Sequence, residues 1–188
     1  MLGKILRILY FEVGFKLRYL FWKVIITSSG GRIGNNVKIY EGVRIVLGNP
    51  GSIDIGSNVR LLRNATIGTS GSGKIHIGNG VHIGEGTIIY SDLEISINDK
   101  AVIGPQNVIV DFDHNYQDRN TPIIEQGHNA KRVMIAEDVW ISSHCSVIKG
   151  VLIGKGSVIG AGSVVNKEIS PYSIACGVPA KVIKRRGE

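Results

Sequence analysis

From Ile135 onward every sixth residue is aliphatic: Ile135, Ile141, Val147, Ile153, Ile159 and Val165. A fixed internal period of this kind decides the fold before any local propensity does. The same phase runs through the earlier sequence if short insertions are allowed. Groups of three begin at Ile33 (then Ile39, Ile45), Ile55 (Leu61, Ile67), Ile77 (Ile83, Ile89) and Ile97 (Ile103, Ile109). The extra residues are 51–54, 73–76, 95–96 and 115–134, and each set follows the third hexad of its group. Insertions confined to one point of an 18-residue cycle mark one corner of a three-sided coil. Each hexad then supplies a short strand and a turn. Its aliphatic residue points inward, Gly often follows, and the fifth residue is small or β-branched (Val139, Cys145, Val151, Ser157, Ser163). Three hexads close one coil and about six coils stack at strand spacing into a prism roughly 28 Å tall. A single coil buries its core only by stacking on its neighbours. The 25 glycines beside four Phe and two Trp suit such a core of Ile and Val with tight corners.

The first 27 residues follow a different rule. Leu2, Leu6, Leu9, Val13, Leu17, Leu20 and Val24 recur every three or four residues and predict one apolar stripe on a helix. Lys4, Arg7, Lys16, Arg18 and Lys23 lie off that stripe and interrupt any apolar run long enough to cross a bilayer. Tyr19, Phe21 and Trp22 add amphipathic bulk. Two readings stay open: a helix packed on the prism or on a neighbouring subunit, and an interfacial helix on anionic lipid. The apolar stretch has no small-residue cleavage site after it and does not read as a signal peptide. With two cysteines and no disulfide framework, a cytoplasmic setting is expected, with peripheral contact to the inner membrane face open through residues 1–27.

Charge narrows the partners. Residues 1–32 hold six Lys/Arg against one Glu, and 181–188 hold four against one, so of the net +7 the ends carry +8 and the body −1. A nucleic-acid groove needs positive charge on the folded body, so no nucleic-acid partner is expected. Basic ends suit phosphate-rich ligands or anionic surfaces.

The pattern aliphatic-Gly-x-x-small-x, as in IGKGSVIGAGSVV, resembles the hexapeptide-repeat acyltransferases. The run DVWISSHCSVIKGVLIGKGSVIGAGSVVNKEISPYSIACGVPAKVIKRR is similar to the C-terminal half of their maltose/galactoside-type and polysaccharide O-acetyltransferase branch. The likeness covers about residues 33–185. It implies an all-β fold, a left-handed parallel β-helix over 31–188 with a C-terminal tail, preceded by the amphipathic helix over 1–30 and interrupted by a loop at 115–134. It also implies an acetyl-CoA-dependent acetyltransferase that assembles as a homotrimer with CoA between neighbouring prisms.

Acyl transfer from a thioester needs a base for the acceptor's proton and a donor for the tetrahedral oxyanion. His114 closes the fourth coil before the long insertion, in DFDHNYQDR, and the resemblance makes it the catalytic base. Glu94 ends the third coil as His114 ends the fourth, and is expected to orient the imidazole. Asp92 falls near the acceptor-binding Asn of the sugar-acetylating relatives. For acyl-CoA, Trp140 matches the family's VWI tryptophan, and Lys167, Lys181 and Lys184 match its basic CoA-contacting positions. Ser143 and Ala161 lie 18 residues apart and should stack to leave room for the pantetheine arm, with the Ser142 or Ser143 N–H as oxyanion donor. Cys145 sits at an inward position and reads as core, not nucleophile. His82 and His144 are expected in turns, His76 in an insertion and His128 in the loop. The metal-binding γ-class carbonic anhydrases of this fold use a His-x4-His pair, which this chain lacks, so no metal is expected.

The leading expectation is transfer of an acetyl group to a sugar hydroxyl of a surface polysaccharide or its lipid-linked precursor. N-acetylation of a nucleotide-linked amino sugar is the enzymatic alternative, and a catalytically inactive β-helix scaffold the non-enzymatic one.

Overall fold

A computed structural model describes residues 2–188, with side chains from residue 12 onward. The chain is a left-handed parallel β-helix with one N-terminal helix, Leu2–Ser28. Six full coils stack in three parallel sheets. The first face runs through Arg32–Ile33, Ser52–Ile55, Lys74–Ile77, Glu94–Ile97, Val133–Ile135 and Leu152–Ile153. The second runs from Lys38–Ile39 through Val158–Ile159, and the third from Arg44–Val46 through Val164–Val165. A partial seventh turn follows, in which Ile169 bridges to Ile153 and Ser173–Cys176 pairs with Val158–Ile159.

The hexad residues form inward columns, one per face. On the second face Leu61 lies between Ile39 and Ile83 in register, and the column continues through Ile103, Ile141 and Ile159 to Ala175, all buried. Fifth positions pack beneath them: Val139, Cys145, Val151, Ser157 and Ser163 are all buried as the repeat requires.

Two of the three corners are tight turns of repeated geometry. The corner between the first and second faces has positive φ at Asn36, Asn58, Gly80, Lys100, Asp138 and Gly156. The next corner has it at Gly42, Asn64, Gly86, Gln106, His144 and Gly162. Left-handed backbone costs Gly and Asn least, which is why these types recur there. The third corner, from the third face back to the first, has no such shared column, and the extra residues enter at it; most of 51–54, 73–76 (with His76) and 95–96 lengthen the first-face strands that follow, where Ile53, Ile75 and Ile95 are buried. Its longest insertion leaves the coil at Asp111 and returns at Arg132, so the expected boundaries 115–134 shift. Val133–Ile135 is already strand, because Val133 and Ile135 are both buried. The insertion is a two-stranded antiparallel ribbon, Phe112–His114 against His128–Ala130, with a short 3-10 turn at Ile123–Glu125. A second revision concerns His82, which precedes inward Ile83 on a strand of the second face instead of occupying a turn.

The helix caps the first coil. Each coil donates its N–H groups to carbonyls of the next, as in Lys38 N–H to Val59 O and Tyr40 N–H to Leu61 O. The first coil's own carbonyls therefore have no preceding coil to satisfy them. The helix supplies donors: Arg18 Nε bonds Ile39 O at 2.6 Å and Tyr19 Oη bonds Gly34 O at 3.1 Å. Ile26 is fully buried and Trp22 packs on the core. The helix ends at Gly30, whose φ of 82° lets Gly31 N–H return to Ile26 O. The aliphatic stripe faces away from the prism: Val13, Leu17, Leu20 and Val24 are exposed. Leu2, Lys4, Leu6, Arg7 and Leu9 lie outside the described side chains. The aromatic face packs because its rings and hydroxyl both cover apolar core and reach edge carbonyls, which aliphatic side chains cannot do.

At the far end, Lys181–Arg185 folds back antiparallel on Ser173–Cys176 and closes that sheet edge. Close stacking leaves no room for side chains at some hexad glycines. A Cβ on Gly84 would run into the carbonyl of Gly104 in the next coil. Gly84→Ala is expected to destabilise by about 2–3 kcal/mol, lowering Tm by roughly 5–10 °C in a thermal scan.

Candidate active site

The third corner is built on a buried polar column. Thr69, Ser91 and Asp111 follow the inward residues Ile67, Ile89 and Ile109 by two positions in successive coils, and all three are buried. Asp111 accepts four hydrogen bonds. Its Oδ2 takes Ser91 Oγ at 2.7 Å, Leu93 N–H at 3.0 Å and Glu94 N–H at 2.6 Å, and its Oδ1 takes Asp92 N–H at 2.8 Å. One side chain thereby fixes the turn 91–94 against the coil that launches the ribbon. Lys131 N–H closes the ribbon's base on Asp111 O at 2.8 Å.

Strand alternation sorts the ribbon's side chains. Asp113 is on one side, paired to Lys149 Nζ at 2.9 Å. Phe112 and His114 are on the other, across from Ala130 and His128. His114 and His128 are direct cross-strand partners, with ring centroids 4.5 Å apart and planes at 81°. His128 also leans on Phe112, centroids 5.0 Å apart, and its Nδ1 lies 3.5 Å from Asp92 Oδ2. The other Asp92 oxygen accepts Ser70 Oγ–H at 2.5 Å. A connected line of polar groups therefore runs Ser70, Asp92, His128, His114, ending on an exposed imidazole. The ribbon's far end is ordered by its own bonds. Asn115 N–H reaches Gly127 O, and Gln126 Nε2 donates to Asp118 O and Thr121 O. Bonds from Thr121 Oγ–H and then Asn120 N–H hold the Asp118 carboxyl below its ordinary range.

Glu94 has a partner other than the one expected. Its carboxylate pairs with Arg132 Nε at 3.2 Å, and the carboxylate that reaches the imidazole pair is Asp92. The physical reason is register: Ile95 pairs with Val133, so Glu94 stands beside the residue preceding Val133, which is a cation.

The residues expected to meet acyl-CoA gather elsewhere. Trp140 is half exposed on the second face, in a ladder with Val158, Ile174 and, across the antiparallel pair, Lys184. Ser142, Ser143 and Ala161 form the adjoining corner between the second and third faces, and Gly162 N–H bonds Ser143 O at 3.0 Å as stacking predicts. Lys181 and Lys184 are exposed on the C-terminal strand. Lys167 is apart from these, exposed at the third corner two coils beyond the ribbon. One expected donor is ruled out: Ser142 N–H is engaged by Ile159 O at 2.9 Å as part of the inter-coil ladder. Ser143 N–H donates in none of the described hydrogen bonds.

Cys145 is core, as its hexad position implies. Its Sγ faces Gly160 O at 3.2 Å and burial pushes its thiol up from the ordinary value. Asn107, one coil earlier in the same column, bridges coils through bonds to Gly104 O, Ser142 O and Cys145 N–H. Among the described residues, no three His, Cys, Asp or Glu side chains gather as a metal site. A broad concavity of about 770 Å³ lies along the first face, lined by Arg32, Asp54, His76 and Asn79 among others. Neither His114 nor Trp140 lines it, so it is separate from both clusters.

Residues 132–167 match the bacterial transferase hexapeptide (six repeats) family. The matched stretch carries the same six-residue period that the stacked coils show. This hexapeptide-repeat chain is 38% identical over 106 residues to a Mycobacterium tuberculosis protein named as a probable acetyltransferase, matching 56% of this chain and 35% of that protein. It thus spans about a third of the length of the curated relative it matches. It is similar to a single-residue variant of AntD, an N-acyltransferase of Bacillus cereus, solved with dTDP and coenzyme A, with TM-score 0.72 and 29% identity over 82% of this chain and 84% of that one. It is also similar to a galactoside acetyltransferase solved with coenzyme A, with TM-score 0.61 and 28% identity over 76% of this chain and 65% of that one.

Two residues of this corner are absent from the set expected on sequence: Asp111 was not singled out, and His128 was placed only in a loop. The signal for Asp111 was the Thr69–Ser91–Asp111 polar column two residues past each inward aliphatic. For His128 there was no local signal, since antiparallel pairing across 14 residues brings it to His114. Asp111→Ala strands four donors and is expected to cost at least about 3 kcal/mol in denaturant unfolding. Cys145→Ala, which loses only core volume, is expected to leave turnover within about twofold, measured by acetyl-CoA consumption.

Proposed function

We propose that this chain is an acyl-CoA-dependent O-acetyltransferase acting on a sugar hydroxyl, with His114 as its general base. The observation that carries the reading is the exposed imidazole of His114 at the end of the Ser70–Asp92–His128 line. In the reaction, the acceptor oxygen attacks the thioester carbonyl carbon while its proton passes to a ring nitrogen of His114. The tetrahedral intermediate collapses, the C–S bond breaks, and the imidazolium returns the proton to the departing CoA thiolate. Ser143 N–H is the remaining donor for the oxyanion. Asp92 and His128 act as positioning residues: the carboxylate holds one ring, and that ring holds the edge of the other. Asp92, beside His128, is also the candidate for binding the sugar acceptor.

Trp140, Ser143, Ala161, Lys181 and Lys184 would bind acyl-CoA. They occupy the second face and second corner, whereas His114 is at the third corner of the same prism. A complete site on this reading therefore needs a second copy of the chain, whose CoA-binding corner meets the His114 corner of its neighbour. That requirement favours a cyclic homotrimer, in which three prisms make three such sites. Tyr116, Ile123 and Ile124 on the ribbon are exposed apolar residues and suit contact with the neighbouring prism. Lys167, at the same corner as the ribbon, would meet CoA held by the adjacent copy. A cytoplasmic setting follows from the supply of acetyl-CoA.

A second reading is N-acylation of a nucleotide-linked amino sugar. The likeness to AntD supports it, since a single-residue variant of AntD was solved with dTDP-4-amino-4,6-dideoxyglucose and coenzyme A. The chemistry at His114 would be the same, with an amine in place of the hydroxyl. Product analysis separates the two: a base-labile ester supports the O-acetyl reading and a base-stable amide the other.

His114→Ala is expected to lower kcat by about 10²- to 10⁴-fold with little change in the affinity for acetyl-CoA. Equal rates for wild type and variant would remove the catalytic role of His114, and no consumption of acetyl-CoA by either would leave an inactive scaffold. His128→Asn is expected to lower kcat by about tenfold with KM nearly unchanged, the mark of misaligned chemistry rather than lost binding.

A further inference from the structure

The N-terminal helix has two apolar faces, and the protein uses one. Phe15, Tyr19, Trp22 and Ile26 turn toward the first coil; Phe15 rests against Tyr40, ring centroids 4.8 Å apart. On the opposite side Val13, Leu17, Leu20, Phe21 and Val24 line up at helical spacing and are 52–63% exposed. Lys16 and Lys23, both exposed, run along one flank of this stripe. Residues 1–32 carry six basic side chains against Glu12 alone. Among the described residues Glu12 is already drawn toward Lys38, 4.0 Å away.

We propose that this outward face is a docking surface for an anionic lipid bilayer, with the helix lying in the plane of the membrane. Charge decides the occupant. Packing the stripe on the same stripe of a second copy would bring two lysine rows together with no carboxylate row between them. A bilayer bearing anionic headgroups instead pairs the lysines while the five apolar side chains enter the acyl boundary. The helix does not cross, since no described helix is long and apolar enough. It is also clamped along the first coil by the bonds from Arg18 and Tyr19, so the prism rides on the membrane with that coil nearest. The His114 corner is three coils beyond, on the order of 15 Å from the first coil. That height suits an acceptor sugar carried on a lipid. This inference stands independently of the acyltransferase reading, because it rests on the helix alone.

The test is sedimentation of the full chain with vesicles of phosphatidylcholine alone and with about one-third phosphatidylglycerol. Binding is expected to the second and to be weak to the first. Lys16→Gln and Lys23→Gln should each lower the partition coefficient about fivefold. Leu17→Glu combined with Leu20→Glu should lower it more than tenfold. Both positions are exposed, so circular dichroism and acetyl-CoA turnover in solution should match wild type. Absence of binding to anionic vesicles, or equal binding by wild type and the double variant, would overturn the proposal. So would light scattering that shows the double variant dissociating an oligomer, which would assign the stripe to a second copy.

Discussion

Everything in this molecule depends on backbone hydrogen bonds passed from one coil to the next. Each short strand is only two to four residues long, too little to be stable alone, and gains its partners by stacking in register on the coil before and after. Register is enforced by the inward aliphatic columns, because a slip of one residue would turn a column such as Ile39–Leu61–Ile83–Ile103 to solvent. The same directional ladder leaves open carbonyls at one end and an open sheet edge at the other. The helix answers the first through Arg18 and Tyr19, and the C-terminal strand answers the second.

A stack of this kind constrains where chemistry can be placed. Two corners are committed to tight turns with left-handed backbone in every coil, and insertion there would break the repeat. The third corner alone tolerates extra chain, and the ribbon that carries His114 leaves from it. Flexibility at such a point would be harmful, and Asp111 removes it by gathering four donors from the adjacent turn. The corner that carries His114 is thus an interruption of the repeat that a buried carboxylate makes rigid. Likeness to transferases of the hexapeptide repeat, together with this geometry, is what directs attention to His114 rather than to the four other histidines.

The period, the six coils, the location of the insertions and the core role of Cys145 were all legible in the residues. They depend on local spacing, and a column repeats often enough to be counted. The carboxylate beside the imidazoles was not legible, because Glu94 and Asp92 are two residues apart and point to different sides of the turn. Which one faces His128 depends on the pairing of Ile95 with Val133 across the long insertion. Ser142 N–H was a reasonable oxyanion donor on spacing, yet it is consumed by the ladder to Ile159, a fact visible only once the coils are stacked. On the helix the sequence left open which face packs. Its aliphatic stripe is the stronger periodic signal, but the aromatic face packs, since only Tyr19 and its neighbours reach the open carbonyls of the first coil.

By itself the sequence determined a three-sided winding, its height, the corner that grows and the imidazole that stands there, because each follows from a period of six acting along the chain. Tertiary structure decided which side chains from distant coils meet: Asp92 with His128, His128 with His114, Arg132 with Glu94. The reason is that periodicity specifies which face a residue is on, whereas contact across an insertion depends on how the intervening chain folds back.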